Sequence, residues 1–418
     1  RVKGIAQAEY DNTRAALELM RRDSRLGWEP TMEYRGGTKT VEWKLRRMED
    51  VYGVGASIPQ DAKYGFTFFR GNGEDGVFLA TSADGLNWKE ANGGKPILPA
   101  TLGDRITRDP SVCIGPDGLY HMVFTTSWVN QGFGIAHSAD LITWTPPEFV
   151  PVNDDWPEAK NTWAPEISWD ADSQCYFVVW ATSTTTGRKR HHRQYCVTTR
   201  DFRSWTHRQL YYDPGHSVID AFPFRFKGRW TMIVKDETHD PVAHYLQVVR
   251  SKGGAFGPWE KEGRPFTDNA AYWAEGPTAL ELEDGRWVVY FDCYNKGRYG
   301  AFVTRDFERF EQAEFSLPQG AKHGTAFRLR DCHLQELIDK VAANGGGRVT
   351  VPAGRPVTKG LVLRSNVELH LEKGAVLEGS PTTNDYPVVE LPCSEGRWMA
   401  VVMAVGATNV AVTGEGEI

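Results

Sequence analysis

The chain has 418 residues, 40% of them hydrophobic, and a formal net charge of −6. That is more than one domain's length with enough apolar side chains for real cores, and its acidic balance argues against nucleic acid or an anionic membrane as partner. No run of about eighteen apolar residues occurs, so no membrane span is expected. Cys113, Cys175, Cys196, Cys293, Cys332 and Cys393 lack CxxC or metal-ligand spacing, so buried free thiols are expected over disulfides.

Residues 1–58 carry no catalytic constellation. The stretch IAQAEYDNTRAALELMRRDSRLGW has apolar positions at helical spacing and reads as one helix. TKTVEWKLRRMEDVYGV reads as a second, with Gly36-Gly37 breaking between them. This helical segment is either the tail of a preceding domain or a cap on the domain after it.

From Lys63 the chain turns to short strands. YGFTFFRGNGEDGVFLATSADGLNW gives two or three of them around a glycine-rich turn. ITRDPSVCIGPDGLY then opens a repeat: Asp109 begins an apolar run, a Pro-Asp-Gly turn closes it, and LYHMVFTT comes next. NTWAPEISWD places Glu166 in a like position, SVIDAFPFRF Asp220, YWAEGPTALELE Glu275, and AKHGTAFRLR His323. A second marker runs in phase, a small residue, an Asp and then an aromatic: SADGLNW, SADLITW, TRDFRSW and TRDFERF, with SKGGAFGPW as a degenerate copy. Its aromatics are Trp88, Trp144, Trp205, Trp259 and Phe310, and the four tryptophans are expected in the core.

Self-similarity at about fifty residues with several short strands per unit is the signature of a β-propeller, here with five blades over residues 63–328. The segment after Lys63 is expected to share a blade with the His323 strand, closing the ring and removing free edges. An acidic residue near the start of the axial strand in four blades brings carboxylates to one funnel. Unpaired buried carboxylates repel and cost several kcal/mol. Glycoside hydrolysis with inversion needs such a set: one carboxylate deprotonates water and one carboxylic acid protonates the leaving oxygen, roughly 6.5–9.5 Å apart. A neighbouring carboxylate keeps the acid protonated, and Asp220 lies on the blade next to Glu275.

After Asp331 the character changes. HLQELIDKVAANGGG is an amphipathic helix with a glycine stop. RVTVPAGRPVTKGLVLRSNVELHLEKGAVLEGS is a series of very short strands with frequent turns, read as the first coils of a right-handed parallel β-helix. The fold class is therefore all-β: a five-bladed propeller, preceded by a short helical segment and followed over 331–418 by an incomplete parallel β-helix whose last coil is an open edge.

Residues 63–328 resemble glycoside hydrolase family 43, the five-bladed propeller glycosidases, in RDPSV, WAPEI, VIDAFPF, AEGPT and HGTAFRL. The resemblance implies inverting hydrolysis of α-L-arabinofuranosides, β-xylosides or galactosides. Asp109 would be the general base, Glu275 the general acid, and Asp220 the residue that raises and orients the acid. It requires no cofactor. In that family the histidine at this motif often faces a central water or calcium ion, so His323 is read as a satisfied axial histidine or as one that touches a hydrated Ca2+. Glu166 either binds substrate hydroxyls or accepts backbone N–H groups. Arg108 is a substrate-binding candidate. Trp163 and Trp273, close in sequence to axial acids, either stack on a sugar face or pack between blades. The basic run Arg188 to Arg193 is a solvated loop tip or a contact to acidic pectin.

The C-terminal segments GGGRVTVPAG, LRSNVELHLEKGAVLEGS and VTGEGEI resemble the N-terminal part of polygalacturonases of glycoside hydrolase family 28. That family's catalytic aspartates lie in later coils, so polygalacturonase activity is not expected. Together the two resemblances imply an oligo- or polysaccharide partner in a pectic or hemicellulosic context, exo action and, first among the sugars, arabinofuranose. A secreted or periplasmic location is expected; the chain starts mid-pattern at Arg1, so no signal peptide would be visible. An invertase-type propeller fits less well, because no Asn-Asp-Pro motif precedes Arg108. A non-catalytic sugar-binding propeller would have lost one of Asp109, Asp220 and Glu275, and a pectin-binding module over 331–418 would have too few coils for a cleft.

Overall fold

A computed structural model describes residues 26–35, 38–47, 58–59, 62–115, 119–138, 141–142, 144–186, 190–261, 263–329, 334–351, 357–358, 360–371, 373–379, 386, 389–390, 397–398 and 400–418. Five antiparallel sheets dominate it. The innermost strands are Arg108–Ile114, Trp163–Asp170, Val218–Phe226, Glu275–Glu281 and Lys322–Arg328. They contact one another in a closed ring, first with second through to fifth with first, which makes them the wall of one axis. We number the blades in that order. The fifth is completed from the other end of the repeat region: Lys322–Arg328 pairs with Tyr64–Phe69, which continues to Val77–Ser82 and Lys89–Glu90. Thr325 faces Thr67 and Ala326 faces Phe66 in that register.

The cores lie between neighbouring sheets. Phe66, Phe68, Trp88 and Tyr290 join the fifth blade to the fourth, and Phe177, Trp230 and Met232 join the second to the third. Each such side chain contributes roughly 1.5–3 kcal/mol by leaving water. The outer aromatic marker now has a physical cause. Its Ser or Thr hydroxyl accepts the N–H of the third residue on: Gly85 to Ser82 (3.0 Å), Leu141 to Ser138 (2.8 Å), Phe202 to Thr199 (2.9 Å) and Phe307 to Thr304 (2.9 Å). That third residue is left-handed in these four copies, with φ of 73°, 68°, 57° and 55°; in the degenerate copy the Ser251 hydroxyl instead donates to the Gly254 carbonyl. The hydroxyl turn offsets part of the strain at the three non-glycine positions and aims the following aromatic inward. Trp88 and Trp144 are buried, and Trp205, Trp259 and Phe310 are partly buried against the interblade cores. Cys175, Cys196 and Cys293 are buried free thiols and Cys113 is a half-buried one; Cys332 and Cys393 lie outside the described residues.

The expectation of helices before the propeller is corrected. Leu26–Arg35 and Thr38–Arg47 are strands of a two-stranded sheet. Leu26, Trp28, Met32 and Tyr34 alternate with polar or small residues, as do Val41, Trp43 and Leu45. That period of two suits a strand, and the intervening Gly36-Gly37 is a sequence preferred between hairpin strands. The rest of the first helix expected, before Leu26, lies outside the described residues.

Residues from Arg330 onward belong to a second compact unit. It holds the helix Leu334–Ala343 and strands that pair in parallel: Gly347–Val351 with Val367–Leu371 and then Ala411–Gly414, Val357–Thr358 with Glu378–Gly379, and Leu361–Leu363 with Val402–Ala404. Leu334, Ile338, Val349, Leu361, Leu369 and Leu377 fill its interior.

Candidate active site at the propeller axis

Every inner strand slips register once: at Arg108/Ser111, Trp163/Glu166, Ile219/Phe222, Glu275/Thr278 and Lys322/Thr325. Aligned on these bulges, Asp109, Ala164, Asp220, Gly276 and His323 occupy one position, and the first four are left-handed (φ 52°, 46°, 54° and 56°). A bulge re-aims the side chain it carries, and here it turns Asp109, Asp220 and His323 together. Glu275 stands one residue before this position and Glu166 two residues after it. The five residues expected at one phase are thus spread over a few, and that spread separates their environments.

His323 Nδ1 is 3.3 Å from Asp109 Oδ1 and 3.8 Å from Asp220 Oδ2. Burial alone would push the imidazole down; Asp109, Asp220, Glu275 and Glu166 outweigh that and hold it above its ordinary value. Asp109 Oδ2 accepts the Thr125 hydroxyl (2.8 Å), and the same hydroxyl accepts Ala164 N–H (2.9 Å), so the first blade's carboxylate is oriented from the second. Asp220 Oδ2 accepts Gly276 N–H at 3.0 Å, which fixes it beside the residue that follows Glu275. Only glycine suits position 276: an added Cβ would meet the His323 ring at 2.4 Å. Burial raises the Asp220 carboxyl to about 6, with Glu275 and Asp109 adding and His323 and Lys235 opposing.

Glu275 is the most open of the axial acids, its side chain 22% exposed against 10% for Asp109 and 6% for Asp220. It lines a cavity of about 490 Å³ with Phe69, Asn72, Arg108, Trp128, Asp292 and other residues. Asp292 is its cross-strand partner; burial, and then Glu275, push that carboxyl to about 7. Glu275 Oε2 accepts a hydrogen bond from the buried Lys235 ammonium at 3.1 Å. A larger cavity of about 610 Å³, lined by Cys175, Cys196, Trp205 and Phe256 among others, has none of the axial acids in its wall.

The remaining candidates divide. Arg108 is in the cavity wall, its guanidinium 4.3 Å from the Trp128 ring and 4.6 Å from Phe69, with Nη1 donating to Asn72. Trp163 is half-buried, stacked on His192 at 5.1 Å, and its Nε1 donates to the Trp128 carbonyl. Trp273 is half-buried and stacked on His244 at 4.5 Å. Glu166 is 4% exposed, and its Oε2 accepts the Ser111 hydroxyl at 2.5 Å; burial raises this carboxyl to about 8. The contact this buried carboxyl makes is to a serine hydroxyl of the first blade. In the basic run, Arg188 and Lys189 lie outside the described residues; Arg193 pairs with Asp213 and His192 is buried, so those two are not a solvated tip.

Among the described residues no group of three or more His, Cys, Asp or Glu side chains is arranged to hold a metal ion, and His323 Nδ1 already faces two carboxylates. No helix among the described residues is long and apolar enough to cross a membrane.

Lys235, Asp292 and Trp128 went unseen in the sequence. The first two stand one residue before the ends of the buried strands Arg229–Asp236 and Trp287–Cys293, where a charged residue late in an apolar run is the signal. Trp128 is 47% exposed on a turn, with nothing local to mark it.

The chain is similar to known carbohydrate-active proteins. It is 26% identical over 334 residues to an α-L-arabinofuranosidase of Bifidobacterium longum subsp. longum, covering 66% of this chain and 30% of that protein. It is 30% identical over 86 residues to a probable polygalacturonase of Vitis vinifera, covering 19% of this chain and 18% of that one. The chain thus spans less than a third of the length of either curated relative. Among solved structures, an α-L-arabinofuranosidase from Lactobacillus brevis matches with a TM-score of 0.40 and 18% identity, over 49% of this chain and 72% of that one. A thermostable family-43 glycoside hydrolase matches with a TM-score of 0.42 and 17% identity, over 52% and 78%. Residues 60–333 match the family described as a probable glycosyl hydrolase domain, related to family 43, and the chain belongs to that family.

Proposed function

We propose that the propeller is an inverting, exo-acting glycosidase of plant cell-wall side chains, with α-L-arabinofuranosides as its substrates. Asp109 deprotonates the water, Glu275 protonates the leaving oxygen, and Asp220 keeps Glu275 protonated and in place. The observation that carries this reading is the difference in setting among three carboxyls on one axis. Asp109 and Asp220 share His323 Nδ1, while Glu275, more open than either, lines the cavity. An acid that must reach a departing oxygen needs such access. Arabinofuranose is favoured over xylose or galactose by the similarity to the Bifidobacterium protein.

The second unit supports a companion proposal: its parallel pairs are coils of a right-handed β-helix of the polygalacturonase type. That reading is supported by the parallel registers and the similarity to the Vitis protein, and it favours a pectic context for the glycosidase. The experiment is a panel of p-nitrophenyl glycosides and pectic oligosaccharides. Turnover of the α-L-arabinofuranoside above the β-xyloside and galactosides supports the assignment. Binding of the sugars without turnover would replace it with a carbohydrate-binding propeller.

A further inference from the structure

Lys235 is a buried cation that the proposed reaction has not used. It is the penultimate residue of the strand Arg229–Asp236, cross-strand from Ile219 and therefore beside Asp220, and it is 1% exposed. An ammonium has three N–H donors and no acceptor. Three oxygens lie around this one: Glu237 Oε2 at 2.7 Å, Glu275 Oε2 at 3.1 Å and Tyr294 Oη at 3.3 Å. The Tyr294 ring is 4.4 Å away and adds a cation–π contact. Burial would strip the proton from Lys235; Glu275 and Glu237 override that and keep it charged.

The charge balance around it is specific. Burial opposes ionisation of Glu237, but His244 and Lys235 hold that carboxyl down to about 2. Lys235 and Glu237 are thus a neutral pair before Glu275 is considered, and a buried ion pair survives only when so matched. Glu275 can then carry a proton without leaving a buried charge alone.

We propose that Lys235 is a positioning residue for Glu275, engaging Oε2 as an acceptor so that the acidic proton rides on Oε1, while Glu237 shields the acid from the full charge of the ammonium. This rests on the reading of Glu275 as the general acid. On proton donation from Oε1 the O–H bond breaks, the leaving oxygen takes the proton, and the carboxylate left behind gains in its attraction to Lys235. The groups that face Glu275 are Lys235 and Asp220 of the third blade, Asp292 and Tyr294 of its own, and His323 of the fifth. Behind Lys235 stand Glu237, with His244 and His239 on it, and His192, which burial holds down to about 4.

The signs of two substitutions are opposite. Lys235→Met removes the attraction to the carboxylate, so Glu275 titrates at higher pH. Glu237→Gln leaves Lys235 with Glu275 as its one close carboxylate, so Glu275 titrates at lower pH. The double variant buries no unpaired charge and moves back toward the unmodified protein, which guards against a fold lost to Lys235→Met alone. The measurement is carboxyl 13C NMR on glutamate-labelled full chain, with the Glu275 signal assigned by Glu275→Gln. Shifts of opposite sign in the two single variants support the proposal; equal titration in all three, or shifts of one sign, overturn it. The pH–rate profile on an alkyl glycoside should move its basic limb in the same two directions. Failure of the acid assignment would read differently: Glu275→Gln would lose as little on alkyl as on aryl glycosides while the NMR shifts remained.

Discussion

The two halves of the axis hold their carboxyls by different means. In the first and second blades the hydrogen-bond partners are neutral hydroxyls, Thr125 on Asp109 and Ser111 on Glu166, with His323 of the fifth blade also 3.3 Å from Asp109. In the third and fourth they are ions and other acids: Lys235 and Asp292 about Glu275, with Asp220 between them and His323. A hydroxyl orients a carboxylate without changing the local charge. An ammonium or a second carboxylate changes the free energy of ionisation, by about 1.4 kcal/mol for each pKa unit. The oriented side suits a base whose task is to point at water, and the charged side suits an acid whose proton must be held and then released.

That contrast is broken most directly at its two poles. Asp109→Ala should abolish turnover for every substrate, because water activation is needed whatever leaves; kinetics on alkyl and aryl glycosides would check it. Glu275→Gln should lose roughly 10²–10⁴-fold on a natural glycoside and far less on an activated aryl glycoside, whose phenolate leaves unaided. Equal losses on both would place Glu275 outside proton donation.

Asp220 sharpens the charged side. Asp220→Asn should keep the fold while moving the basic limb of the pH–rate profile to lower pH, since a negative neighbour that favoured the protonated acid is gone. A limb unmoved, or moved upward, would remove Asp220 from that role.

Gly276 tests the close approach of the fourth blade to the fifth. Gly276→Ala puts a Cβ into the His323 ring at a left-handed φ, and thermal unfolding should show a loss of at least about 1–2 kcal/mol.

The smallest effect is expected at Glu166. Its folded carboxyl titrates at about 8, far above an ordinary glutamate, so between those values the folded chain holds a proton that the unfolded chain has lost. Stability then falls as pH rises through this window. Glu166→Gln, still able to accept from Ser111, should raise the melting temperature at pH 9 and leave it nearly unchanged at pH 5. The same gain at both pH values would show that the carboxyl is not buried as a neutral acid.

Much of this was legible in the sequence, for physical reasons. The Ser/Thr-x-Asp marker repeats because one hydroxyl turn builds four of the five blades, and Asp109, Asp220 and Glu275 stand out because an acid is out of place at the start of an apolar strand. The fine phase was hidden: a bulge shifts register by one residue and leaves no mark in spacing, so Glu275 and Glu166 look equivalent to Asp109. Lys235 and Asp292 meet Glu275 only through cross-strand and interblade geometry. The strands at 26–47 read as helix because Glu, Lys and Arg are common to both states and mask the alternation of Val41, Trp43 and Leu45.

The central claim is that Asp109 activates water while Glu275 protonates the leaving group, across a gap that admits that water. Proton NMR of the first-formed sugar, recorded before mutarotation, tests it most directly. The account predicts a product whose anomeric configuration is inverted relative to the substrate; a retained configuration would contradict it, because Asp109 would then have to attack the sugar itself.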